Sequence, residues 1–172
     1  SDYVVNGQFI YWVDSQQSHF GRSFIKKTAL NESTTTVLIE RDCTMHNSSC
    51  GVKGIFVDDM SLFWIESSSD PAGPTSNSTI QCINKMSINE GVSEKLACTN
   101  NNIEYITGDG NSIYWTEEAS VYMDYLESLH KIAKDGTGQL VLLDNVKRIT
   151  TKPIITDGEI YLGIMGGYDA NG

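Results

Sequence analysis

The sequence predicts an all-β chain built as a β-propeller of about three and a half four-stranded blades. Three observations predict it. A turn followed by an apolar strand centred on an aromatic pair occurs four times, the copies are about fifty residues apart, and each interval carries four short β-rich runs with almost no helical periodicity. The copies are Asn6-Gly7-Gln8-Phe9-Ile10-Tyr11-Trp12-Val13-Asp14, Asp59-Met60-Ser61-Leu62-Phe63-Trp64-Ile65-Glu66, Asp109-Gly110-Asn111-Ser112-Ile113-Tyr114-Trp115-Thr116-Glu117 and Asp157-Gly158-Glu159-Ile160-Tyr161-Leu162. Trp12 to Trp64 is 52 residues, Trp64 to Trp115 is 51 and Trp115 to Leu162 is 47.

The other strands of the unit follow in order. A short first strand precedes each turn: Tyr3-Val4-Val5, Ile55-Phe56-Val57, Tyr105-Ile106-Thr107 and Ile154-Ile155-Thr156. A third strand follows the aromatic pair, at Phe24–Lys27, Ile83–Met86 and Leu129–Ile132, with Lys27, Lys85 and Lys131 in matching places. A fourth closes the unit at Thr36–Ile39, Glu94–Ala97 and Leu140–Leu143, entered through turn residues such as Asn89-Glu90-Gly91 and Asp135-Gly136-Thr137-Gly138. The best helical stretch, Ala119 to Leu129, is short and lies between two strands, so it is expected to be a loop decoration.

A β-sandwich gives no reason for the fifty-residue self-similarity. A propeller does, because one four-stranded sheet cannot bury both faces alone but can when stacked between neighbours. Tyr11 and Trp12 point to opposite faces of their strand, so each blade offers a ring to both neighbours, and these aromatics are expected to be core. The predicted organisation is one partial propeller over residues 1–172. Its blades span about 3–50, 52–99 and 103–149, with a half blade at 152–172. Propellers close with about 4–8 blades. The ring is therefore expected to be incomplete, either a segment of a six- to eight-bladed propeller or one completed by a second chain, with exposed sheet faces as association surfaces.

The stretches Tyr11-Trp12-Val13-Asp14, Phe63-Trp64-Ile65-Glu66 and Tyr114-Trp115-Thr116-Glu117 resemble the YWTD repeat of six-bladed propellers in low-density-lipoprotein-receptor-type proteins. The segment from Leu129-His130-Lys131-Ile132 to Asp135-Gly136-Thr137-Gly138 is similar to the third-strand and turn segment of the wider TolB-like six-bladed group. The resemblance implies extracellular ligand binding in the receptor branch and varied roles in the wider group. The chain departs from it with Glu at two of three acidic positions, with Tyr161-Leu162-Gly163 in the fourth copy, and with longer loops.

Net charge is −10, which disfavours nucleic acid and anionic membrane surfaces, since phosphate binding needs clustered Lys and Arg. No apolar run approaches the roughly 20 residues of a membrane helix. Four cysteines (Cys43, Cys50, Cys82 and Cys98) allow two disulfides. Cys82 and Cys98 fall on the third and fourth strands of the second blade, and Cys43 and Cys50 flank a polar link. The pairing Cys43–Cys50 with Cys82–Cys98 is favoured among three possibilities. Three N-glycosylation sequons, at Asn31, Asn47 and Asn77, lie in predicted turns or loops. Cysteines and sequons together point to a secreted or extracellular protein.

The long links Ser15–Ser23, Asp42–Lys53, Ser67–Thr79 and Glu118–Ser128 share one face of the predicted propeller, and the tight turns share the other. Phe20, Tyr122 and Tyr125 on the long-loop face are candidate partner contacts. His19, His46 and His130 have no shared spacing and no nearby Ser or Cys in a known motif. The recurring turn acids Asp58, Asp59, Asp109 and Asp157 could line a Ca²⁺ site, but Asp favours such turns for backbone reasons alone. No catalytic residue, metal or cofactor is expected. The expected function is an extracellular binding or structural module for protein or glycan partners, or for further copies or blades of the same protein. The alternative is a segment of a secreted propeller enzyme of glycosidase or lyase type.

Overall fold

The structure, a computed structural model, describes residues 2–16, 21–42, 50–69, 79–121 and 124–165. The described residues form β-strands, turns and connecting segments and no helix. The chain divides into two compact units, Ser1–Asn100 and Asn101–Gly172.

The first unit holds two four-stranded antiparallel meanders. Strands β1 (Tyr3–Asn6), β2 (Phe9–Gln16), β3 (Arg22–Ala29) and β4 (Thr35–Asp42) form one sheet. Strands β5 (Gly51–Val57), β6 (Ser61–Ser69), β7 (Thr79–Ser87) and β8 (Ser93–Thr99) form the next. One face of the first sheet packs on one face of the second. Tyr11, Ile25 and Ile39 meet Val52, Ile55, Val57, Leu62, Trp64 and Met86 in a single buried cluster, with Val4 and Val13 at its margin. Each such large side chain removed from water contributes roughly 1.5–3 kcal/mol. Polar links cross the same interface, among them Asn6 Nδ2, which donates to the Asp58 carbonyl at 2.8 Å, and the Gly54 N–H, which donates to Asp2 Oδ2 at 2.9 Å. Gly54 sits at a bulge between Lys53 and Ile55 with φ of +53°, a backbone shape glycine adopts without a Cβ clash.

The second unit holds a third meander, β9 (Asn102–Gly108), β10 (Ser112–Val121), β11 (Asp124–Ala133) and β12 (Leu140–Lys147). A two-stranded hairpin follows, β13 (Ile154–Thr156) and β14 (Glu159–Tyr161). Both central residues of the hairpin turn, Asp157 and Gly158, have positive φ, the type I′ geometry that matches strand twist. A bridge between Ile149 and Ile164 extends the hairpin past its ends.

The aromatic repeat is an equivalence in register. Each first aromatic lies opposite the matching lysine of the third strand: Tyr11 with Lys27, Phe63 with Lys85, Tyr114 with Lys131. Tyr11, Phe63, Trp64, Tyr114 and Trp115 are buried as expected. Trp12 is not, being half-buried on the face of the first sheet that points away from the second. The strands also run further than their apolar centres. Of Ala119–Leu129, expected as a loop decoration, the described residues are the ends of paired strands, in which Ser120 lies opposite Tyr125 and Val121 opposite Asp124. Antiparallel pairing satisfies the backbone of polar residues as well as apolar ones, so a reading keyed to apolar runs stops short.

Candidate functional site

The densest polar cluster of the second unit lies on one face of the third sheet. Residues two apart on a strand share a face, so Trp115 and Glu117 on β10 face the same way, as do Ser128 and His130 on β11. The register sets Trp115 opposite His130 and Glu117 opposite Ser128. The Trp115 indole N–H donates to Glu117 Oε1 at 2.8 Å, and Asn101 Nδ2 donates to Glu117 Oε2 at 3.0 Å. The imidazole of His130 stacks on the indole with centroids 5.2 Å apart and planes 17° from parallel. Its Nε2 lies 2.7 Å from Ser128 Oγ and 3.8 Å from Glu117 Oε1. The sequence reading missed this Ser–His contact, although the Ser-x-His spacing on a strand was the signal that could have shown it.

A hydroxyl, an imidazole and a carboxylate together invite comparison with a nucleophilic triad. A working relay seats the nucleophile at one ring nitrogen and the carboxylate at the other. Here both partners stand at Nε2, and Nδ1 is buried without a hydrogen-bond partner among the described residues. The arrangement therefore cannot hand a proton from Ser128 through the ring to Glu117. The second sheet repeats its central piece: the Trp64 indole N–H donates to Glu66 Oε2 at 3.2 Å, and Arg41 Nε of the first sheet donates to Glu66 Oε1 at 2.8 Å. In the first sheet Asp14 pairs with Lys26. The acidic letter of the repeat is thus a clip for a neighbouring cation or amide and, in two copies, for the buried indole.

The turn acids do backbone work. Asp58 Oδ1 accepts the N–H groups of Met60 and Ser61 at 2.9 and 2.7 Å, and Asp109 Oδ1 accepts those of Asn111 and Ser112 at 2.7 and 2.8 Å. Burial alone would raise the Asp109 carboxyl, but the Asn111 N–H, the Tyr114 hydroxyl at 2.7 Å and the Ser112 N–H, with Lys131 nearby, leave it below its ordinary value. Tyr114 is raised, first by burial and then by that same bond. Among the described residues no group of three or more His, Cys, Asp or Glu could hold a metal ion.

Glu127 is the other buried acid. It lies on β11, in a stretch expected to be loop, and its Oε2 accepts the Ile149 N–H at 2.9 Å. Burial raises its carboxyl, against the pull of that bond, and Glu104 and Glu118 add to the rise. It fastens the link that leads from the third sheet into the hairpin.

A concave site in the first unit lies at the tight-turn end of its two sheets. An open pocket of about 420 Å³ is lined by Asn6, Phe9, Tyr11, Lys27, Asp59 and Asn89, among others. The Lys27 ammonium sits 4.5 Å from the centre of the Phe9 ring.

Cys82 and Cys98 are directly paired across β7 and β8, with Cα atoms 4.1 Å apart, and form a disulfide. Cys50 is also disulfide-bonded, while Cys43 lies outside the described residues. Asn31 is exposed in the turn between β3 and β4. Asn47, Asn77, Phe20 and Tyr122 lie outside the described residues. Tyr125 belongs to β11, opposite Ser120, and not to a loop.

No family model and no curated protein matches the sequence. Solved structures do match. An acylaminoacyl peptidase superposes on 95% of this chain and 27% of its own, with TM-score 0.63 and 10% identity. A tricorn protease superposes on 95% and 21%, with TM-score 0.61 and 10% identity. An oligogalacturonate lyase from Vibrio parahaemolyticus superposes on 77% and 36%, with TM-score 0.53 and 12% identity. The chain spans about a third or less of the length of these proteins. At such identities the likeness shows the fold alone, and with the three four-stranded meanders and the hairpin it makes this chain an all-β, incomplete β-propeller of about three and a half blades.

Proposed function

We propose that this chain is an extracellular binding or structural module that uses its blades as a rigid surface for protein or glycan partners. The observation that carries the reading is the Cys82–Cys98 disulfide, joined by a disulfide at Cys50. Such bonds persist in oxidising compartments. The sequons at Asn31, Asn47 and Asn77 fit the same route. The pocket at the tight-turn end supports a glycan as one class of partner. Its Phe9 ring offers an apolar edge for sugar C–H groups, and Asn6, Asn89, Asp59 and Lys27 offer hydrogen bonds for hydroxyls. Intact mass of protein from its native source, before and after enzymatic deglycosylation, with a thiol count, tests the compartment. Loss of mass and four unreactive cysteines are expected; unmodified asparagines and free thiols would overturn the reading.

A second reading, a segment of a secreted propeller enzyme, is favoured by two observations. The matched structures are a lyase, a peptidase and a protease by name, and Ser128 Oγ touches His130 Nε2. Labelling by a fluorophosphonate that disappears in Ser128→Ala would establish it. The placement of Glu117 at the same nitrogen as Ser128 predicts no labelling.

A further inference from the structure

The fourth strand of the third sheet differs in composition from its copies. Strand β12 is an edge strand, paired with β11 alone among the described residues. Such an edge presents a row of backbone N–H and C=O groups to a further strand, and charged side chains ordinarily guard it. Register fixes which residues of the three fourth strands are equivalent. Thr36, Glu94 and Leu140 stand opposite the matching lysines Lys27, Lys85 and Lys131, and Val37, Lys95 and Val141 come next. The second sheet thus guards its edge with Glu94 and Lys95, and Glu94 is further paired with Lys85. The third sheet has Leu140 and Val141 in those places, and Leu142 and Leu143 extend the apolar run.

Leu140 and Val141 are 58% and 55% exposed. This exposure belongs to the position in the sheet and does not depend on a neighbouring sheet. In the first unit, Thr36 lies on the face of the first sheet that packs on the second, since it stands in line with Lys27 and Tyr11. Lys95 lies on the face of the second sheet that packs on the first, in line with Asn84 and Trp64. Both are exposed with the facing sheet in place. Face-to-face packing therefore does not reach this part of the outer strand from either side.

We infer that β12 pairs edge to edge with β12 of a second copy of this chain, antiparallel about a two-fold axis through the Leu140–Leu143 run. The inference rests on the reading of the chain as a binding or structural module and names its partner. An antiparallel edge is complementary to itself, because both strands offer the same alternation of donors and acceptors, and a two-fold contact closes at a dimer. Charge selects a second copy in the same way. A net charge of −10 opposes contact between copies in general, yet Gly136–Leu143 is a run of eight uncharged residues. With Leu140 opposite Leu143 and Val141 opposite Leu142, Asp144 falls opposite Gln139 and Lys147 opposite Gly136, so no like charges meet across the pair.

The test is sedimentation velocity on the full, disulfide-intact chain over a wide concentration range. The double variant Leu140→Glu, Val141→Lys installs the residues that the second sheet carries at the same places, so the sheet is expected to tolerate it, and far-UV circular dichroism checks that it does. Val92→Lys, at an exposed apolar residue of the first unit, is the control for general stickiness. Wild type is expected to form a reversible dimer and no larger species, the double variant to dimerise about tenfold or more weakly, and the control to match wild type. Amide hydrogen exchange is expected to slow within Leu140–Leu143 as the dimer forms. A monomeric wild type would leave the edge to a strand of another protein and overturn the inference. Dimers that survive the double variant, an equal loss in the control, or exchange that does not slow in β12 would overturn it too. Intact mass and thiol count on the same sample keep the two readings separable: a monomer with glycans and disulfides in place removes the strand pairing and leaves the extracellular assignment standing.

Discussion

At the scale of the residue, the buried acids decide the most. Glu127 carries a carboxyl held above its ordinary range by burial and by Glu104 and Glu118. A carboxyl raised on folding binds its proton more tightly in the folded state. Its contribution to stability is therefore fullest below the unfolded value and is lost as pH rises through the folded one. Glu127→Gln keeps an acceptor for the Ile149 N–H and removes the titration. Its stability relative to wild type, from urea denaturation, is expected to be higher near neutral pH than at acid pH; the opposite trend would refute the burial argument. Trp64 is the larger single anchor, fully buried between two sheets, and Trp64→Ala is expected to cost about 3–5 kcal/mol in the same assay. The tryptophans were legible in the sequence because aromatic pairs recur at even spacing. Glu127 and the Ser128–His130 contact were not. Their place depends on strand pairing across Glu118–Ser128, a stretch whose polar composition reads as loop until the partner strand is known.

At the scale of the element, the meander is the unit, and the Cys82–Cys98 disulfide ties two strands of the second one. Cys82 and Cys98 are sixteen positions apart in the chain, on the third and fourth strands of the second sheet. Closing a loop of that size stabilises by about 3 kcal/mol through the unfolded chain. A Cys82→Ala, Cys98→Ala double variant is expected to lose about that much in urea denaturation, and a loss near zero would mean that the strands hold without it. The sequence placed both cysteines on neighbouring antiparallel strands, which is why their pairing could be anticipated. It placed strand ends poorly, because apolar runs mark only the buried middle of each strand. Turn acids were anticipated for the right reason, since Asp58 and Asp109 cap the N–H groups of their own turns.

At the scale of the whole molecule, the copies of the repeat differ in how far their tryptophans are sealed. The chain has three tryptophans; Trp64 and Trp115 are sealed from water, and Trp12 is half-buried. Iodide is therefore expected to quench the emission of Trp12 and spare the other two, with the accessible part abolished in Trp12→Phe. Equal quenching of all three would contradict the packing. The acidic letter varies in step with this. It is Glu where the indole is sealed and Asp where it is not, and a sealed indole N–H needs a partner inside the protein. Aspartate is one methylene shorter along a strand that rises roughly 3.3 Å per residue. Glu117→Asp should therefore strand an indole, whereas Asp14→Glu should be tolerated. The length of one acidic side chain thus sets whether a blade can afford a dry indole on that face.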